Sequence, residues 1–588
     1  MACVLDVANE DIVELIVVKD ETFFAPSLCP DGIYEIDGKY EIWYYNQKRL
    51  PPLSVRQFGY DAIPMCYGPV AQKEMEQTGV ARLQSINTLS LRGQGVFVAI
   101  IDSGINYEDA SFRNPDGTTR IFSLWDQTAD GQGKNIGQQG NLGWVGNVGQ
   151  QNSAGQGVGS SRSSAELCYG RIYDRDQINE ALFSGTPREY VPQRDEYGHG
   201  TFVASVACGS RDEVANFVGA APESDLLVVK LKPAKKNLRE FYGIPDSAVC
   251  YAETDIMAAV SYVNQIANRE KKPMVILMSL GTSSGNHSGS GPLNGYLDTL
   301  ALQIGRVIVA ATGNEAAARR HYYGESLSIA WPERVEINVE ADMKTLCLEL
   351  WSTAPTEMSV AIQSPTGERY PAKNELESKD GEFEYVLEAT TVRIARRFVG
   401  RSRRDQLVFI RFSNIVRGIW TIFVYPVGYA TGNFHSWLPM TSMTEAEVYF
   451  LASNPNTTLT GPSDALNLIT VGGFDGQNQG LYYASGRGYD ANFSVKPDIV
   501  APAVDIMGKN QFGIFETRSG TSGAAAICAG ACAQILEWSI NDGKDPGANS
   551  VDVKNRLIRG AVREENIAYP NPELGYGFLN VYDSIRIR

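Results

Sequence analysis

The sequence predicts an α/β protein with a doubly wound parallel sheet, because short apolar runs alternate with helix-like stretches between residues 78 and 335. Strands that are apolar along their whole length are typical of a sheet covered by helices on both faces. The strand candidates are residues 97–101, 226–229, 274–278 and 307–311, and the helix candidates are residues 255–269 and 293–304. In such sheets the functional groups collect beyond the carboxyl ends of the strands.

A second pattern begins near residue 336, where short strand-like segments follow one another without a helix between them. These segments are residues 345–351, 359–363, 383–387, 407–412 and 420–425. They predict a β-sandwich inserted at residues 336–455. The chain then re-enters the parallel sheet through an apolar strand at 468–472, so the α/β unit is predicted to comprise residues 71–335 and 456–588.

Residues 1–70 contain two further strand-like segments, 13–18 and 40–45, which are separated by turns containing proline and glycine. They predict a small α+β unit ahead of the sheet. From these residues alone, an ordinary N-terminal extension and a separate folding unit both remain open.

Residues 128–163 are rich in glycine, glutamine, asparagine and serine. A phosphate-binding loop would need a preceding strand, a following helix and, for a P-loop, a Gly-Lys-Ser/Thr ending, and none of these is present. We therefore expect a solvated loop that overhangs the functional cleft.

The composition excludes several classes of partner. The net charge of −16 disfavours nucleic acid and anionic membranes, whose phosphates would be repelled. No apolar run approaches 18 residues, and acidic residues interrupt the N-terminal region, so neither a membrane span nor a signal peptide is predicted. Nine scattered cysteines do not suggest a disulfide framework, which favours a cytoplasmic or spore-associated location over secretion.

Three distant segments carry the residue types of a nucleophilic serine. They are Asp102 at the end of an apolar strand, His199 in Gly-His-Gly-Thr, and Ser522 in Gly-Thr-Ser-Gly-Ala. A serine hydroxyl attacks an amide only if a histidine takes its proton, and a buried carboxylate must orient that histidine. Of the four histidines in the chain, His199 alone lies in such a motif. We predict an Asp-His-Ser triad of these three residues.

The order of these residues along the chain separates two classes of hydrolase. Hydrolases with a nucleophile elbow run Ser, Asp, His and need Gly-x-Ser-x-Gly, whereas subtilisins run Asp, His, Ser. Here Ala524 stands where the elbow requires its second glycine. The order and the motif both favour the subtilisin arrangement.

Six ordered segments resemble the subtilisin-like serine proteases. They are Ile-Asp-Ser-Gly-Ile at 101–105, Gly-His-Gly-Thr-Phe-Val-Ala at 198–204, Ser-Leu-Gly at 279–281, Ala-Thr-Gly-Asn-Glu at 311–315, Lys-Pro-Asp-Ile-Val-Ala-Pro at 496–502 and Gly-Thr-Ser at 520–522. Within that superfamily, residues 114–120, 241–245 and 253–256 and the long insertion before the serine most resemble the Csp group of clostridial germination proteases.

The resemblance implies an architecture and a processing event. Residues 1–70 would be a prodomain that is cleaved within 67–77 and stays bound non-covalently, and the insertion would be a jelly roll. No cofactor is predicted. No metal site can be assigned from the sequence, because the Asp and Glu residues lack a recognisable calcium-binding loop and no second pair of ligands accompanies Cys528 and Cys532.

The resemblance assigns roles to further residues. Asn314 would donate to the oxyanion, whose other donor would be the backbone N–H of Ser522, at the start of a helix. The residues expected to hold an extended substrate, with the primary side-chain pocket between them, are Ser279, Leu280, Gly281, Thr312 and Gly313. Asp195 and Thr521 would support the triad.

Two functions from different classes fit this sequence. The leading hypothesis is a serine endopeptidase that cleaves its own prodomain and then protein or peptide substrates, which by the resemblance include the precursor of a spore cortex-degrading enzyme. The alternative is a catalytically inactive, Csp-like sensor or scaffold, but such proteins have lost triad residues, and all three are present here. A peptidase unrelated to germination would keep the same mechanism with another substrate.

Overall fold

The computed structural model describes residues 5–19, 28–69, 78–85, 90–129, 167–325, 331–370, 380–399, 404–428 and 432–586. Within these ranges, eight strands form a central sheet. Their order across the sheet is Ile499–Pro502, Ile469–Phe474, Arg306–Ala311, Met274–Met278, Phe97–Asp102, Asp225–Lys230, Ile121–Asp126 and Arg171–Asp174. Neighbouring strands are parallel except for the last pair. The predicted α/β class is confirmed.

The central sheet is buried on both faces because its strands are apolar on both sides. In the strand Phe97–Asp102, Val98 and Ile100 face one core, whereas Phe97, Ala99 and Ile101 face the other. The first core is covered by helices His199–Cys208, Thr521–Leu536 and Ser550–Gly560, and the second by Glu253–Glu270 and Pro292–Leu300. This arrangement is the predicted doubly wound sheet.

The two predicted helices differ in how well their ends were placed. The helix predicted at 255–269 extends over Glu253–Glu270. The one predicted at 293–304 is shorter and covers Pro292–Leu300. It stops early because the chain turns at Gly305, whose φ of 71° suits glycine, to enter the strand Arg306–Ala311. The smaller helices are Val55–Phe58, Val80–Ser85, Arg175–Phe183, Pro187–Tyr190, Lys236–Tyr242 and Val581–Arg586, with 3-10 turns at Gln47–Arg49, Ala110–Phe112 and Thr441–Met443.

Two antiparallel sheets form the inserted β-sandwich. In the described ranges, one has the order His321–Gly324, Phe434–Trp437, Met343–Thr353, Asp405–Ile415, Thr390–Val399 and Gly381–Tyr385. The other has the order Arg369–Tyr370, Met358–Gln363, Gly418–Pro426, Glu333–Val339 and Val448–Phe450. Leu346 and Leu348 of the first sheet share one core with Val335 and Ile337 of the second. The period-two alternation of apolar residues produces this packing.

The N-terminal segment, residues 5–69, forms a three-stranded sheet in the order Ile12–Val18, Tyr40–Asn46 and Gly32–Glu35. The sheet packs on the second face of the α/β unit, where Ser261 Oγ donates a 3.1 Å hydrogen bond to the Ile36 carbonyl. Its first residues, Leu5–Asp6, pair in parallel with Leu167–Cys168. The segment thus lies against the α/β unit.

The predicted loop and the predicted cleavage region fall largely on residues outside the described ranges. Most of the loop predicted at 128–163 and most of the proposed cleavage region at 67–77 lie outside the described residues.

Among the described helices, Thr521–Asn541 is long and apolar enough to cross a membrane, but 89% of its apolar window is buried inside the protein. It is a core helix of the α/β unit.

Candidate active site

The three predicted triad residues meet at one edge of the central sheet. Asp102 is the last residue of the strand Phe97–Asp102, His199 is the first residue of its helix, and Ser522 is the second residue of the helix Thr521–Leu536. His199 Nδ1 lies 2.8 Å from Asp102 Oδ1, and His199 Nε2 lies 3.3 Å from Ser522 Oγ. The carboxylate, the imidazole and the hydroxyl therefore form a continuous hydrogen-bonded series.

Asp102 is buried, and its charge is stabilised from several directions. The Ser103 backbone N–H donates to Oδ1 at 2.7 Å, and the Ser279 hydroxyl donates to Oδ2 at 2.8 Å. Burial alone would raise the pKa of Asp102, but the His199 imidazole and these two donors outweigh it and hold the pKa below its usual value. Asp102 is thus ionised at neutral pH and can stabilise an imidazolium.

Asp195 fixes the backbone around His199. Its Oδ1 accepts from the Gly198 N–H at 2.8 Å, and its Oδ2 accepts from the N–H and the hydroxyl of Thr201 at 2.8 and 2.7 Å. The Ser103 hydroxyl joins this group by donating to Oδ1 at 2.8 Å. Asp195 thereby caps the helix that begins at His199 and positions the imidazole.

Asn314 is oriented by the helix that carries the serine. Its Oδ1 accepts from the Thr521 backbone N–H at 3.1 Å. The Thr521 hydroxyl in turn accepts from the Gly313 N–H at 3.1 Å and ties the two segments together. With Oδ1 engaged, the Nδ2 group of Asn314 is left as the donor that an oxyanion requires.

A strand of the N-terminal segment occupies the groove beside Ser522. The strand Cys66–Pro69 runs antiparallel to Leu280–Gly281 on one side and to Tyr251–Ala252 on the other. Gly68 lies opposite Gly281 and Pro69 opposite Leu280. The Ser279 carbonyl oxygen, one residue further along, lies 3.1 Å from Ser522 Oγ. The last described pair of this strand, Pro69 with Leu280, therefore lies next to the residue that contacts Ser522.

Comparison with known proteins decides the family. The family model described as "Subtilase family" matches residues 93–343 and 425–578. This chain belongs to the subtilase family. The unmatched stretch between the two parts lies within the β-sandwich, which is therefore an addition to the shared fold.

Two proteins resemble this subtilase over different lengths. The CspB protease of Clostridium perfringens superposes with a TM-score of 0.72 and 28% identity, over 86% of this chain and 95% of that chain. Subtilisin-like protease SBT1.2 of Arabidopsis thaliana is 28% identical over 239 residues, which cover 38% of this chain and 24% of the plant protein. The chain thus spans about a quarter of the length of this curated relative. The predicted resemblance to subtilisin-like proteases and to the Csp group is confirmed.

Thr312 and Gly313 were expected to hold the second edge of an extended substrate, but in this subtilase their carbonyls are engaged elsewhere. The Thr312 carbonyl accepts from the Thr460 N–H at 2.9 Å, and the Gly313 carbonyl accepts from the Gly486 N–H at 2.8 Å. These groups are therefore used within the protein, and the bound strand pairs with Tyr251–Ala252 instead. Thr312 and Gly313 form a wall beside the serine.

Two contributors to the site carried no sequence signal. Tyr251–Ala252 is too short a strand to show a periodicity, and Thr460 joins the site from a loop. Ser103 lies within the motif at 101–105, but no role was predicted for it. Among the described residues, no cluster of three or more His, Cys, Asp or Glu side chains is arranged to hold a metal ion.

Proposed function

We propose that this subtilase is a serine endopeptidase that first cleaves its own N-terminal segment and then extended protein substrates. One observation carries the proposal: Ser522 Oγ lies 3.3 Å from His199 Nε2 beside a groove that already contains an antiparallel strand. A groove that binds main chain on both edges accepts the middle of a polypeptide. This supports an endopeptidase rather than a sensor.

The first half of the reaction forms an acyl-enzyme. Ser522 Oγ attacks the carbonyl carbon of the scissile peptide bond while His199 Nε2 removes the hydroxyl proton. Asp102 stabilises the imidazolium through Nδ1–H. The negative charge that develops on the carbonyl oxygen is bound by the Ser522 backbone N–H and Asn314 Nδ2. His199 then gives its proton to the leaving amine, and the C–N bond breaks.

The second half returns the serine. A water molecule enters where the amine left, and His199 Nε2 removes its proton as the oxygen attacks the ester carbon. The same two donors bind the second oxyanion. Collapse of this intermediate breaks the bond to Ser522 Oγ, and His199 returns a proton to the serine. The products are two polypeptides, and the enzyme is unchanged.

The register of the groove strand supports a specific site of self-cleavage. Gly68 and Pro69 lie opposite Gly281 and Leu280, and one further step reaches the level of Ser279, whose carbonyl contacts the nucleophile. We therefore propose that the bond between Val70 and Ala71 is cut. Both residues lie outside the described ranges and within the region where the resemblance places the cleavage.

Retention of the cleaved segment is supported by a buried cluster of charges. Glu14, on the first long strand of the segment, lies 3.1 Å from Lys232 Nζ and 2.7 Å from Lys235 Nζ and accepts from the Thr254 hydroxyl at 2.8 Å. Burial would raise the pKa of Glu14, but the two lysines lower it. These contacts join the segment directly to the α/β unit, and losing one partner from such a cluster would leave the remaining charges buried without compensation.

The inserted sandwich also holds the segment. The Tyr60 hydroxyl donates to the carboxylate of Glu349, at 2.8 Å from Oε1, and its ring lies edge-on against Trp351 with centroids 5.3 Å apart. These residues share a core with Phe241 of the α/β unit. The cleaved segment would therefore remain as an inhibitor that fills the groove. We propose spore germination as the setting, on the resemblance to the Csp group.

The intact mass of the purified chain tests the proposal. The wild type is expected to separate into fragments of residues 1–70 and 71–588, whereas Ser522→Ala stays whole. Ser519→Ala is a matched control, because this hydroxyl lies three residues away and accepts from the Asp505 N–H. It should be cleaved like the wild type.

Two other outcomes are informative. A wild type that stays whole, like Ser522→Ala, would contradict the protease and favour the sensor. Cleavage of the wild type at another bond would support Ser522 as the nucleophile but contradict the proposed cut after Val70. The setting is tested separately by incubating the cleaved protein, after its inhibitory N-terminal segment has been separated from it, with the precursor of a spore cortex-degrading enzyme. An uncut precursor would then contradict the setting.

A further inference from the structure

Thr460 is buried between the two segments that form the walls of the predicted primary pocket. Gly281 belongs to one wall and Gly313 to the other. A Cβ placed on Gly281 would lie 2.3 Å from Thr460 Oγ1, and one placed on Gly313 would lie 2.5 Å from Thr460 Cγ2. Real Cβ atoms do not approach other atoms this closely. Thr460 therefore fills the space that faces the α-carbons of both glycines, and its own exposure is only 1%.

These walls flank the point at which a substrate side chain would enter. Gly281 ends the segment whose Ser279 carbonyl contacts the nucleophile, and Gly313 precedes Asn314, the proposed oxyanion donor. The side chain that precedes the scissile bond must therefore enter between the two segments. The threonine stands in that space, so the depth left for a substrate is small.

Thr460 is held in place by both walls. Its N–H donates to the Thr312 carbonyl at 2.9 Å, and its hydroxyl donates to the same carbonyl at 3.4 Å. The next residue, Gly461, exchanges two backbone hydrogen bonds with Thr282, at 2.9 and 3.1 Å. Displacing Thr460 to admit a larger side chain would break bonds to both walls of a buried site, which is costly.

We propose that Thr460 closes the primary specificity pocket and limits cleavage to bonds that follow small side chains, up to the size of valine. The inference rests on the proposed protease function and defines its substrate class. The chain's own sequence agrees with it, because residue 70, the proposed position before the scissile bond, is valine. Leucine, phenylalanine and tyrosine at that position would overfill the pocket.

Self-cleavage of the full chain tests this without an external substrate. Chains carrying Val70, Val70→Ala or Val70→Phe are made by cell-free translation, and the cleaved fraction is followed by mass spectrometry. Val70 and Val70→Ala should be cleaved at similar rates, and Val70→Phe about 100-fold more slowly, as expected when a pocket lacks room for the added carbons. Adding Thr460→Gly should restore cleavage of Val70→Phe at least 10-fold.

Thermal unfolding separates volume from folding. Thr460→Gly in a Ser522→Ala background, which cannot cut itself, should unfold cooperatively, which shows that the enlarged pocket belongs to a folded protein. If Val70→Phe is cut after residue 70 as fast as the wild type, or if Thr460→Gly fails to rescue it, the inference is wrong while the protease stands. If the unmodified chain is never cut, the proposed function itself fails.

Discussion

The Ser279 hydroxyl donates a 2.8 Å hydrogen bond to Asp102 Oδ2, so the residue whose backbone contacts the nucleophile also stabilises the triad carboxylate. Ser279→Ala removes the donor and leaves the backbone in place. We expect the first-order rate of self-cleavage to fall about 10-fold, because one hydrogen bond to a charged group contributes roughly 1.5 kcal/mol. The pH profile of self-cleavage is the measurement.

The same change has a second, directional effect. With one donor fewer, the negative charge on Asp102 is less well stabilised, so the pKa of the Asp102 carboxyl rises. The acid limb of the pH–rate profile should therefore move to higher pH. An unchanged rate together with an unchanged acid limb would show that this hydrogen bond does not act on the triad.

Asn314→Ala should remove half of the oxyanion site. We expect the rate of self-cleavage to fall by about 100- to 1000-fold, because losing one such donor costs roughly 3 to 4 kcal/mol of transition-state stabilisation. Substrate binding should change little, since the interaction forms only as charge develops. The rate of single-turnover self-cleavage of Asn314→Ala is compared with the rates of the wild type and Ser522→Ala. A variant as fast as the wild type would exclude Asn314 from the oxyanion site.

Glu14→Ala should release the cleaved N-terminal segment. The change leaves Lys232 and Lys235 buried at the interface without one of their carboxylates, which costs roughly 3 kcal/mol and corresponds to about 100-fold weaker retention. Size-exclusion chromatography of the cleaved protein measures whether the two fragments elute together. Glu35→Gln is the control, because Glu35 pairs with Lys19 inside the segment. Equal retention in both variants would contradict the role of Glu14.

Three of the four histidines surround Trp437, where the sandwich meets the α/β unit. The rings of His287, His321 and His435 stack on it with centroids 4.0, 5.0 and 5.1 Å away. Burial lowers the pKa of His321 well below its usual value, so its ring is neutral. Its Nδ1 donates to the Asn454 carbonyl at 3.2 Å, and its Nε2 accepts from His435 Nδ1 at 2.9 Å. Protonating His321 Nε2 would break this second hydrogen bond.

Stability should therefore fall with acidification. Burial lowers the pKa of His435 to about 4, whereas an unfolded histidine titrates near 6.5, so the unfolded chain binds more protons between these values. Between pH 7 and pH 5 we expect a loss of roughly 2 kcal/mol. Thermal unfolding of Ser522→Ala with and without His435→Gln is the measurement. An equal pH dependence in both proteins would contradict the assignment.

The sequence predicted five of the eight described strands of the central sheet to within two residues, because continuous apolar runs such as Met274–Met278 are bounded by polar residues and turns. It did not predict Ile121–Asp126, Arg171–Asp174 and Ile499–Pro502. It also predicted which residues meet, since Asp102, Ser279 and Asn314 each lie at or just after the end of a strand at the same edge. The helix predicted to end at 304 was too long, because the apolar periodicity continues to Ile304 whereas the helix ends at Leu300.

Contacts between distant loops could not be predicted in this way. Thr460 is a short polar residue in a loop, and its position between Gly281 and Gly313 depends on the folding of segments more than 140 residues away. Tyr251–Ala252 pairs with Cys66–Pro69 through two residues only. Such pairings follow from tertiary packing, which local periodicity does not encode.

The helix Thr521–Leu536 has a consequence for the order of events during synthesis. A ribosome delivers the groove-filling strand first, then the aspartate and the imidazole, then the sandwich, and the attacking hydroxyl last of these. A nascent chain in which Ser522 has not yet been joined is therefore unable to cut itself or its neighbours. The late position of the serine along the chain delays proteolysis until the rest of the site has been synthesised.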